Sequence, residues 1–177
     1  MFSGFGGLIM AQTVAQNYFG SGVPQKFLTF SLANEEYGIS IMKIKEIIGM
    51  MPVTVLPQTP EYVKGVINLR GKVIPIIDLR CKFNLEQVDP TERTCIIVIE
   101  TENNEQIKIL VGLIIDAVSE VINLKGDEVE PAPSMQTNLH EQLIIGLAKC
   151  ENGVKILLDI DKVINYDELA GVGKERS

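Results

Sequence analysis

Three charged residues, Arg70, Asp78 and Arg80, lie in an unusually apolar stretch, "GVINLRGKVIPIIDLRCKF", which spans residues 65–83. Fixed charges in such a stretch either take part in a reaction or position a surface on which a partner docks. Asp78 and Arg80 are spaced to form a local ion pair or to stabilise a turn. Arg70 adjoins Gly71 at the predicted tip of a turn, where a guanidinium group is able to reach outward.

Catalysis would require a nucleophile with its base, a bound metal, an acid–base pair or a phosphate cradle. His140 is the only histidine, and its surroundings "TNLHEQL" are typical of a solvent-exposed loop or a helix start. Asp159 and Asp161 would share one face of a strand, but a helix cap accounts for them better. The glycines of residues 4–7 do not lie between a strand and a helix, as a nucleotide motif requires. No catalytic residue is therefore predicted.

The three cysteines, Cys81, Cys95 and Cys150, are odd in number and have no CxxC spacing. A secreted disulfide framework usually shows an even, clustered set. We therefore expect three free thiols in a reducing compartment. No cysteine is near His140 in the sequence, so a metal site is not predicted either.

The chain of 177 residues is 46% hydrophobic, which is enough for a substantial core, and its formal net charge is −7. An acidic chain is poorly suited to neutralise the phosphates of nucleic acid or anionic lipids. Apolar runs such as residues 107–115 are too short to cross a bilayer, so no direct membrane insertion is predicted. Residues 1–25 lack the positive region of a signal peptide, and their composition predicts a flexible N-terminal extension.

An all-β pattern begins near Lys26. "KFLTFSL" alternates with the period of two that is typical of a strand, and "ANEEYG" predicts a turn before a second strand from Ile39. In residues 95–115, two apolar runs flank a polar tip at Asn103 and Asn104. That arrangement predicts a β-hairpin.

Two short helices are predicted. Thr59 is able to cap a helix that has Pro60 in its first turn and ends at Gly65, and "DKVINYDELAG" predicts a second helix between Asp161 and Gly171. On composition alone, "IMKIKEII" and "DAVSEVIN" are ambiguous between helix and strand.

Residues 72–79 predict a strand that is apolar on both faces, with Ile74 on one face and Ile77 on the other. Such a strand must be covered on both sides. Pro75 has no N–H to donate to a neighbouring strand, so this strand is expected at a sheet edge or at a bulge.

A weak internal repeat relates the two halves of the chain. "NEEYGISIMKIKEIIG" and "NNEQIKILVGLIIDAVSEVIN" share a polar tip, an apolar strand and a closing motif built around a glutamate. "YVKGVINLRGKVIPIIDL" similarly matches "LIIGLAKCENGVKILLDI". The repeat predicts two related β units, each a small barrel of about five short strands.

Three segments together, "EYVKGVINLRGKVIPIIDLRCKF", "FLTFSLANEEYGISIMKIKEIIG" and "DAVSEVINLKGDEVEPAP", closely resemble the CheW family of bacterial chemotaxis coupling proteins. The resemblance implies a mainly β fold of two packed five-stranded SH3-like β-barrel subdomains, with one or two short helices. It also implies that the ambiguous segments are strands. A member of this family is not an enzyme and needs no cofactor or metal.

The resemblance also sets the expected domain boundaries. Residues 1–25 would be the extension and residues 26–168 the CheW-like domain. Its first subdomain would cover about 26–90 and its second about 91–168, with the chain ends crossing between them. Residues 169–177 would form a C-terminal tail.

The resemblance implies binding and structural roles for individual residues of this chain. The family's receptor-binding groove between the barrels would contain Ile44, Glu46, Arg70 and Val121. Ile44 and Glu46, two apart on a strand, are expected on one face. Kinase binding is expected at Gly65 and Val66. The structural motif of the family corresponds to Asn68, Gly71, Pro75, Asp78 and Arg80.

The expected partners are the regulatory domain of the histidine kinase CheA and the cytoplasmic tip of methyl-accepting chemotaxis receptors. A receptor tip is a helical coiled coil, which offers an apolar seam flanked by charges. The protein would be cytoplasmic, recruited to membrane receptor arrays, and monomeric in isolation. The alternative is an SH3- or OB-like barrel that binds single-stranded nucleic acid, against which the acidic charge argues.

Overall fold

A computed structural model describes residues 18–132, residues 143–164 and Leu169. The described residues lie mainly in β-strands, which form two sheets, so the predicted mainly β fold with two β subdomains is confirmed. The expectations for His140, for residues 1–17 and for most of the C-terminal tail lie outside the described residues.

The strands are β1 (Gln25–Leu32), β2 (Glu35–Ser40), β3 (Ile44–Gly49), β4 (Val63–Leu69), β5 (Lys72–Asp78), β6 (Cys95–Glu102), β7 (Lys108–Ile115), β8 (Ala117–Leu124), β9 (Val129–Glu130), β10 (Ile144–Cys150) and β11 (Gly153–Leu158). The α-helices are α1 (Leu79–Lys82) and α2 (Ile160–Val163), and single 3₁₀ turns cover Ile41–Lys43 and Gly126–Glu128. Within the described part of the chain, no helix is long and apolar enough to span a membrane.

The chain divides into two units that are not consecutive in sequence. The described residues of Met1–Phe30, Glu35–Met42 and Ser119–Val163 form the first unit, and those of Ser31–Asn34, Lys43–Val118 and Ile164–Ser177 form the second. The expected boundary near residue 90 is therefore corrected. Its physical cause is strand pairing, because β6 pairs with both β3 and β7 and keeps these elements in one sheet.

The five-stranded sheet has the order β3-β6-β7-β5-β4. Its centre is the predicted hairpin of β6 and β7, which is confirmed, with the Asn103 side chain accepting hydrogen bonds from the amides of Glu105 and Ile107 at the tip. β5 runs parallel to β7 and antiparallel to β4, so β5 is an interior strand. The strand pairs place α1 and the β4–β5 turn in the same unit as β3.

Pro75 lies on this interior strand, so the predicted edge position was wrong, although a bulge of β4 between Val63 and Gly65 lies opposite the same strand. Its partner across the β4–β5 ladder is Val66, whose amide and carbonyl bond to Thr54 on the other side. Pro75 therefore occupies a position that has no hydrogen bonds to β4. The pairing of β5 with β7 begins one residue later, at Ile76, so the missing N–H leaves no ladder bond broken.

The predicted helix between Thr59 and Gly65 is also absent from the structure. A single turn closes with the amide of Val63 donating to the carbonyl of Pro60 at 2.9 Å, and β4 then starts at once. Gly65 has a φ of 140°, which is incompatible with a helix. Pairing of this β-branched segment with β5 outweighs the local helix signals.

Both faces of the sheet of the second unit are buried, as Ile74 and Ile77 on β5 show, so the prediction that this strand is covered on both sides is confirmed. The cluster on one face has the buried members Ile67, Leu69, Ile74, Ile76, Ile96 and Val98, and Ile48, Met51, Val53, Leu110 and Ile114 pack against them. Alternate residues of β5 and β6 contribute to this face, as the period of two requires.

The six-stranded sheet has the order β8-β1-β2-β11-β10-β9. Its sixth strand is the two-residue β9, which adds to the five strands expected. β1 and β2 are joined by a two-residue turn at Ala33 and Asn34, both with positive φ, and β2 starts at Glu35 rather than at Ile39. "DAVSEVIN" is the strand β8, as the family resemblance implied.

The first unit has a core that includes residues before β1. Phe19 is buried, and its ring lies 6.1 Å from that of Phe27, centroid to centroid. Tyr18 packs against the same cluster. The prediction that the flexible extension reaches residue 25 is therefore corrected at these two residues, because their side chains belong to the core.

The internal repeat is present in the structure, where β4–β5–α1 corresponds to β10–β11–α2. Each hairpin has a register shift just before a glycine, Gly65 or Gly146. In each repeat an aspartate, Asp78 at the end of β5 or Asp159 directly after β11, precedes a four-residue helix. Each unit also pairs this second strand in parallel with a further strand, β7 or β2.

Candidate docking site

The turn between β4 and β5 consists of Arg70 and Gly71 alone. Both have positive φ, as a two-residue hairpin turn of the I′ type requires. The side chain of Asn68 accepts a hydrogen bond from the amide of Gly71 at 2.9 Å. This bond holds the turn, and the Arg70 side chain stands at its exposed end.

Arg70 and Glu46 form an ion pair between the turn and β3. The Arg70 side chain is 70% exposed, and the Glu46 side chain is 31% exposed. An ion pair this open to water is worth little to stability. It does position a cation and a carboxylate side by side on the surface of the second unit.

β3 contains a bulge that separates two of the predicted receptor-binding residues. The register with β6 shifts at Lys45, so Ile44 lies opposite Ile99 while Glu46 lies opposite Val98. Neighbouring residues of β6 face opposite sides of the sheet, and cross-strand partners share a side. Ile44 and Glu46 are therefore on opposite faces, and the prediction of one shared face was wrong because the bulge changes the alternation.

A cavity of about 340 Å³ lies beside the Glu46–Arg70 pair. Glu100, which lines the cavity, is two residues from Val98 on β6, so the cavity lies on the same face of the sheet as the hydrophobic cluster that contains Val98. The residues that line it are Lys45, Glu46, Leu69, Arg70, Lys72, Ile74, Glu100 and Leu110. The aliphatic side chains form its floor, and the charged side chains form its rim.

The rim of the cavity is mostly cationic. Glu100 lies 3.4 Å from the Lys45 ammonium and 3.6 Å from that of Lys108. The Lys72 side chain forms no ion pair or hydrogen bond with another residue in the described part of the chain. The cavity lining thus has three cations and two carboxylates, in a protein with an overall charge of −7.

Asp78 and Arg80 have separate partners. The Asp78 carboxylate caps α1 by accepting from the amides of Arg80, at 2.9 Å, and Cys81. The Arg80 guanidinium instead binds Asp116 through two hydrogen bonds and donates a third to the carbonyl of Glu86. Of the two predicted alternatives, the turn-stabilising role for Asp78 applies. Arg80 joins α1 to the end of β7.

Burial and hydrogen bonding act in opposite directions on Asp116. Burial alone would raise the pKa of its carboxyl, but the hydrogen bonds from Arg80 and from the Ala33 amide, and the Arg80 charge, lower this pKa overall. The hydrogen bonds to Asp116 and the charge of that carboxylate raise the pKa of the Arg80 guanidinium in spite of its partial burial. Both groups therefore remain charged near neutral pH, as a structural ion pair.

The predicted kinase-binding residues are covered by the segment before β4. Thr54 pairs with Val66, with both amide–carbonyl distances at 2.9 Å. A Cβ atom on Gly65 would lie 2.0 Å from the Thr54 carbonyl oxygen. Gly65 and Val66 are buried, whereas Val55 beside them is 78% exposed. A partner at this edge would touch the covering segment first.

Val121, the fourth predicted receptor-binding residue, is an exposed residue of β8 in the first unit. Its neighbour Glu120 is the repeat counterpart of Glu46. Glu120 pairs with the buried Lys155 at 3.2 Å, and its backbone exchanges two hydrogen bonds with the Thr29 hydroxyl. Lys155 corresponds to Ile74 in the repeat, so the position that forms the apolar cavity floor in one unit is ionic in the other.

Several site residues were not found from the sequence. Lys45, Lys72 and Glu100 looked like ordinary surface charges on strands. The signal that could have found Glu100 is its place opposite Leu110 in the hairpin pairing. Lys72 could have been found from its position directly after the turn glycine.

The cysteine thiols and the possible metal ligands among the described residues show no sign of a second reactive site. All three cysteines are free thiols, as predicted. Burial raises the pKa of Cys81 and of Cys95, so both thiols are less easily ionised than a free cysteine. Among the described residues, no group of three or more His, Cys, Asp or Glu side chains is arranged to hold a metal ion.

Comparison with known proteins gives consistent matches. Residues 26–168 match the CheW-like domain family. Chemotaxis protein CheW of Klebsiella aerogenes is 41% identical over 151 residues, covering 85% of this chain and 88% of the relative. Chemotaxis protein CheW of Bacillus subtilis is 34% identical over 81% of this chain and 88% of its own length. The crystal structure of scaffolding protein TtCheW from Thermoanaerobacter tengcongensis superposes with a TM-score of 0.68 at 35% identity, covering 79% of this chain and 92% of that one.

Proposed function

The chain belongs to the CheW-like domain family, and on that premise we propose that it is a non-enzymatic chemotaxis adaptor. It couples the cytoplasmic tip of methyl-accepting chemotaxis receptors to the regulatory domain of the histidine kinase CheA. The names of its relatives, which include a scaffolding protein, support a coupling role. The protein works in the cytoplasm and is recruited to membrane receptor arrays.

The Glu46–Arg70 pair beside the cavity is the observation that carries the receptor half of this proposal. A coiled-coil tip presents apolar side chains between charged ones. The cavity offers an apolar floor next to opposite charges, which suits such a surface in both packing and charge. The exposed Val121 is proposed as a further receptor contact. Ile44 lies on the opposite face of the sheet from Glu46 and is not assigned to this surface.

The kinase half of the proposal concerns the β4 edge of the second unit. Gly65 and Val66 form the buried part of this edge, and Thr54 and Val55 form its outer surface. An exposed valine beside a bridged strand segment is suited to an apolar protein contact. We therefore assign direct kinase contact to Val55 and an indirect role to Gly65 and Val66.

Separate binding assays test the two halves. The full chain, immobilised, is offered a receptor signalling fragment and the CheA regulatory domain, one at a time and then together. We expect each partner to bind alone and both to bind together. Arg70→Glu is expected to lose only the receptor fragment, and Val55→Glu only the kinase domain.

A matched control is Val154→Glu, which adds the same charge at an exposed valine of the first unit and is expected to retain both partners. Binding of neither partner by the wild-type chain would overturn the proposal. Binding of single-stranded oligonucleotides instead would favour the nucleic-acid alternative.

A further inference from the structure

The cavity of the second unit has a chemistry that specifies its occupant more closely than the family role does. We propose that it receives an aliphatic side chain of the partner, while Lys72 binds a carboxylate next to that side chain. This inference rests on the proposed receptor-binding function and adds Lys72 as a residue that determines specificity. It predicts an acidic–aliphatic pair on the docking helix.

Lys72 is the cationic side chain at the cavity rim that is available to pair with a group of the partner. Arg70 already pairs with Glu46, and Lys45 already pairs with Glu100. Lys72 lines the same cavity and forms no ion pair with another described residue. An incoming carboxylate would therefore meet an unpaired ammonium group and would not have to break an existing pair.

The floor of the cavity sets the second requirement. Leu69, Ile74 and Leu110 present only aliphatic carbon to the space above them. A volume of about 340 Å³ is at the lower end of the range for ligand pockets, so it suits one or two side chains. A leucine, isoleucine, valine or methionine side chain would gain from burial there without leaving a polar group unpaired.

In the first unit, the position that corresponds to the cavity floor is occupied by a charged side chain of the protein itself. There the counterpart of Ile74 is Lys155, which is buried and pairs with Glu120. An ionic side chain of the protein itself therefore occupies the place where the second unit has an apolar floor. The aliphatic residue at this position is therefore a property of the second unit's sequence and not of the repeated architecture.

The partner's geometry follows from the spacing of side chains on a helix. Residues three or four apart lie on one face, with Cβ atoms about 5–6 Å apart. A carboxylate one turn from an aliphatic residue would thus reach Lys72 while the aliphatic side chain enters the cavity. An excess of cations at this rim also repels a basic partner helix.

The test measures the affinity of a receptor tip fragment for the full-length protein by titration calorimetry. Lys72→Glu should raise the dissociation constant by roughly tenfold or more, because it replaces attraction of the partner's carboxylate by repulsion. Lys26→Glu is the matched control, since Lys26 is exposed in the first unit and the net charge changes equally. We expect this control to bind within about twofold of the wild type, because Lys26 does not line the cavity.

A receptor fragment with its exposed glutamates changed to glutamine identifies the carboxylate. It should bind the wild type more weakly and should no longer distinguish wild type from Lys72→Glu. If the wild type binds the tip but Lys72→Glu and Lys26→Glu behave alike, the inference is wrong and the adaptor function stands. If the wild type does not bind the tip at all, the receptor half of the proposed function fails and this inference fails with it.

Discussion

Arg80 and Asp116 form a bidentate ion pair, with Nε at 2.7 Å from Oδ1 and Nη2 at 2.6 Å from Oδ2. Their side chains are only 14% and 27% exposed. The pair joins α1 to the end of β7, and Asp116 also accepts the amide of Ala33 at 2.9 Å. One carboxylate therefore ties three separate segments of the second unit.

Asp116→Asn is expected to destabilise the protein by about 2–3 kcal/mol, because it leaves a largely buried guanidinium without its charged partner. The folded-state pKa of Asp116 is lowered, so its stabilising contribution is present above the unfolded pKa of about 3.9. That contribution is lost as the pH falls through the lower, folded-state value. Urea unfolding at pH 7 and at acidic pH measures both effects.

The control for this variant is Lys149→Met, which breaks the exposed pair with Glu130 and should cost less than about 1 kcal/mol. Equal losses in the two variants would contradict the structural role of Asp116. The difference between wild type and Asp116→Asn should shrink at acidic pH, and a constant difference would also count against it.

Asp159→Asn is expected to have the opposite effect. Burial raises the pKa of this carboxyl, and its Oδ1 has no hydrogen-bond partner among the described residues. A raised folded-state pKa means that the charged form destabilises the folded state at neutral pH, and that this penalty fades as the pH falls towards the unfolded value. The variant should be at least as stable as the wild type at pH 7, by thermal and urea unfolding. A clear loss of stability at pH 7 would contradict this.

Gly65→Asp is expected to misfold and not to act as a clean interface variant. The new Cβ would lie 2.0 Å from the Thr54 carbonyl oxygen, at a φ of 140° that side chains rarely adopt. We expect a loss of at least about 3 kcal/mol, from the clash and from a buried charge. A cooperative unfolding transition near that of the wild type, measured by circular dichroism, would contradict this prediction.

Phe19→Ala is expected to cost about 3 kcal/mol, since it removes a buried ring that packs on Phe27. Deleting residues 1–24 removes the same ring and should destabilise the protein by at least as much. Val23→Ala, at an exposed residue, should change the unfolding free energy by less than about 0.5 kcal/mol. Equal transitions for Phe19→Ala and the wild type would show that this contact is not stabilising.

Arg70→Glu is expected to separate binding from stability. Because the Glu46 pair is exposed, the unfolding free energy should change by less than about 1 kcal/mol. Affinity for a receptor tip should fall by about 2 kcal/mol or more, as an unmatched charge enters the interface. Affinity for the kinase regulatory domain, measured in parallel, should persist. Loss of both partners together with lower stability would make Arg70 a structural residue.

The sequence by itself determined the local features of this protein. The hairpin of β6 and β7 with its tip at Asn103, the turn at Arg70 and Gly71, and the repeat of an apolar strand followed by an aspartate were all predicted, whereas the helix α1 after Asp78 was not. Each depends on side chains within a few residues of one another, where alternation and turn preferences act directly. The resemblance of the longer segments then indicated the family and the mainly β fold.

Only the tertiary structure decided which distant residues meet. Arg80 pairs with Asp116, 36 residues away, although Asp78 is closer in sequence. The bulge at Lys45 moves Ile44 and Glu46 to opposite faces, and strand order makes the Pro75 strand an interior one. Sheet register and order are long-range choices, and a shift of one residue turns side chains to the other face. The cavity beside Lys72 depends on those choices, so no local pattern could reveal it.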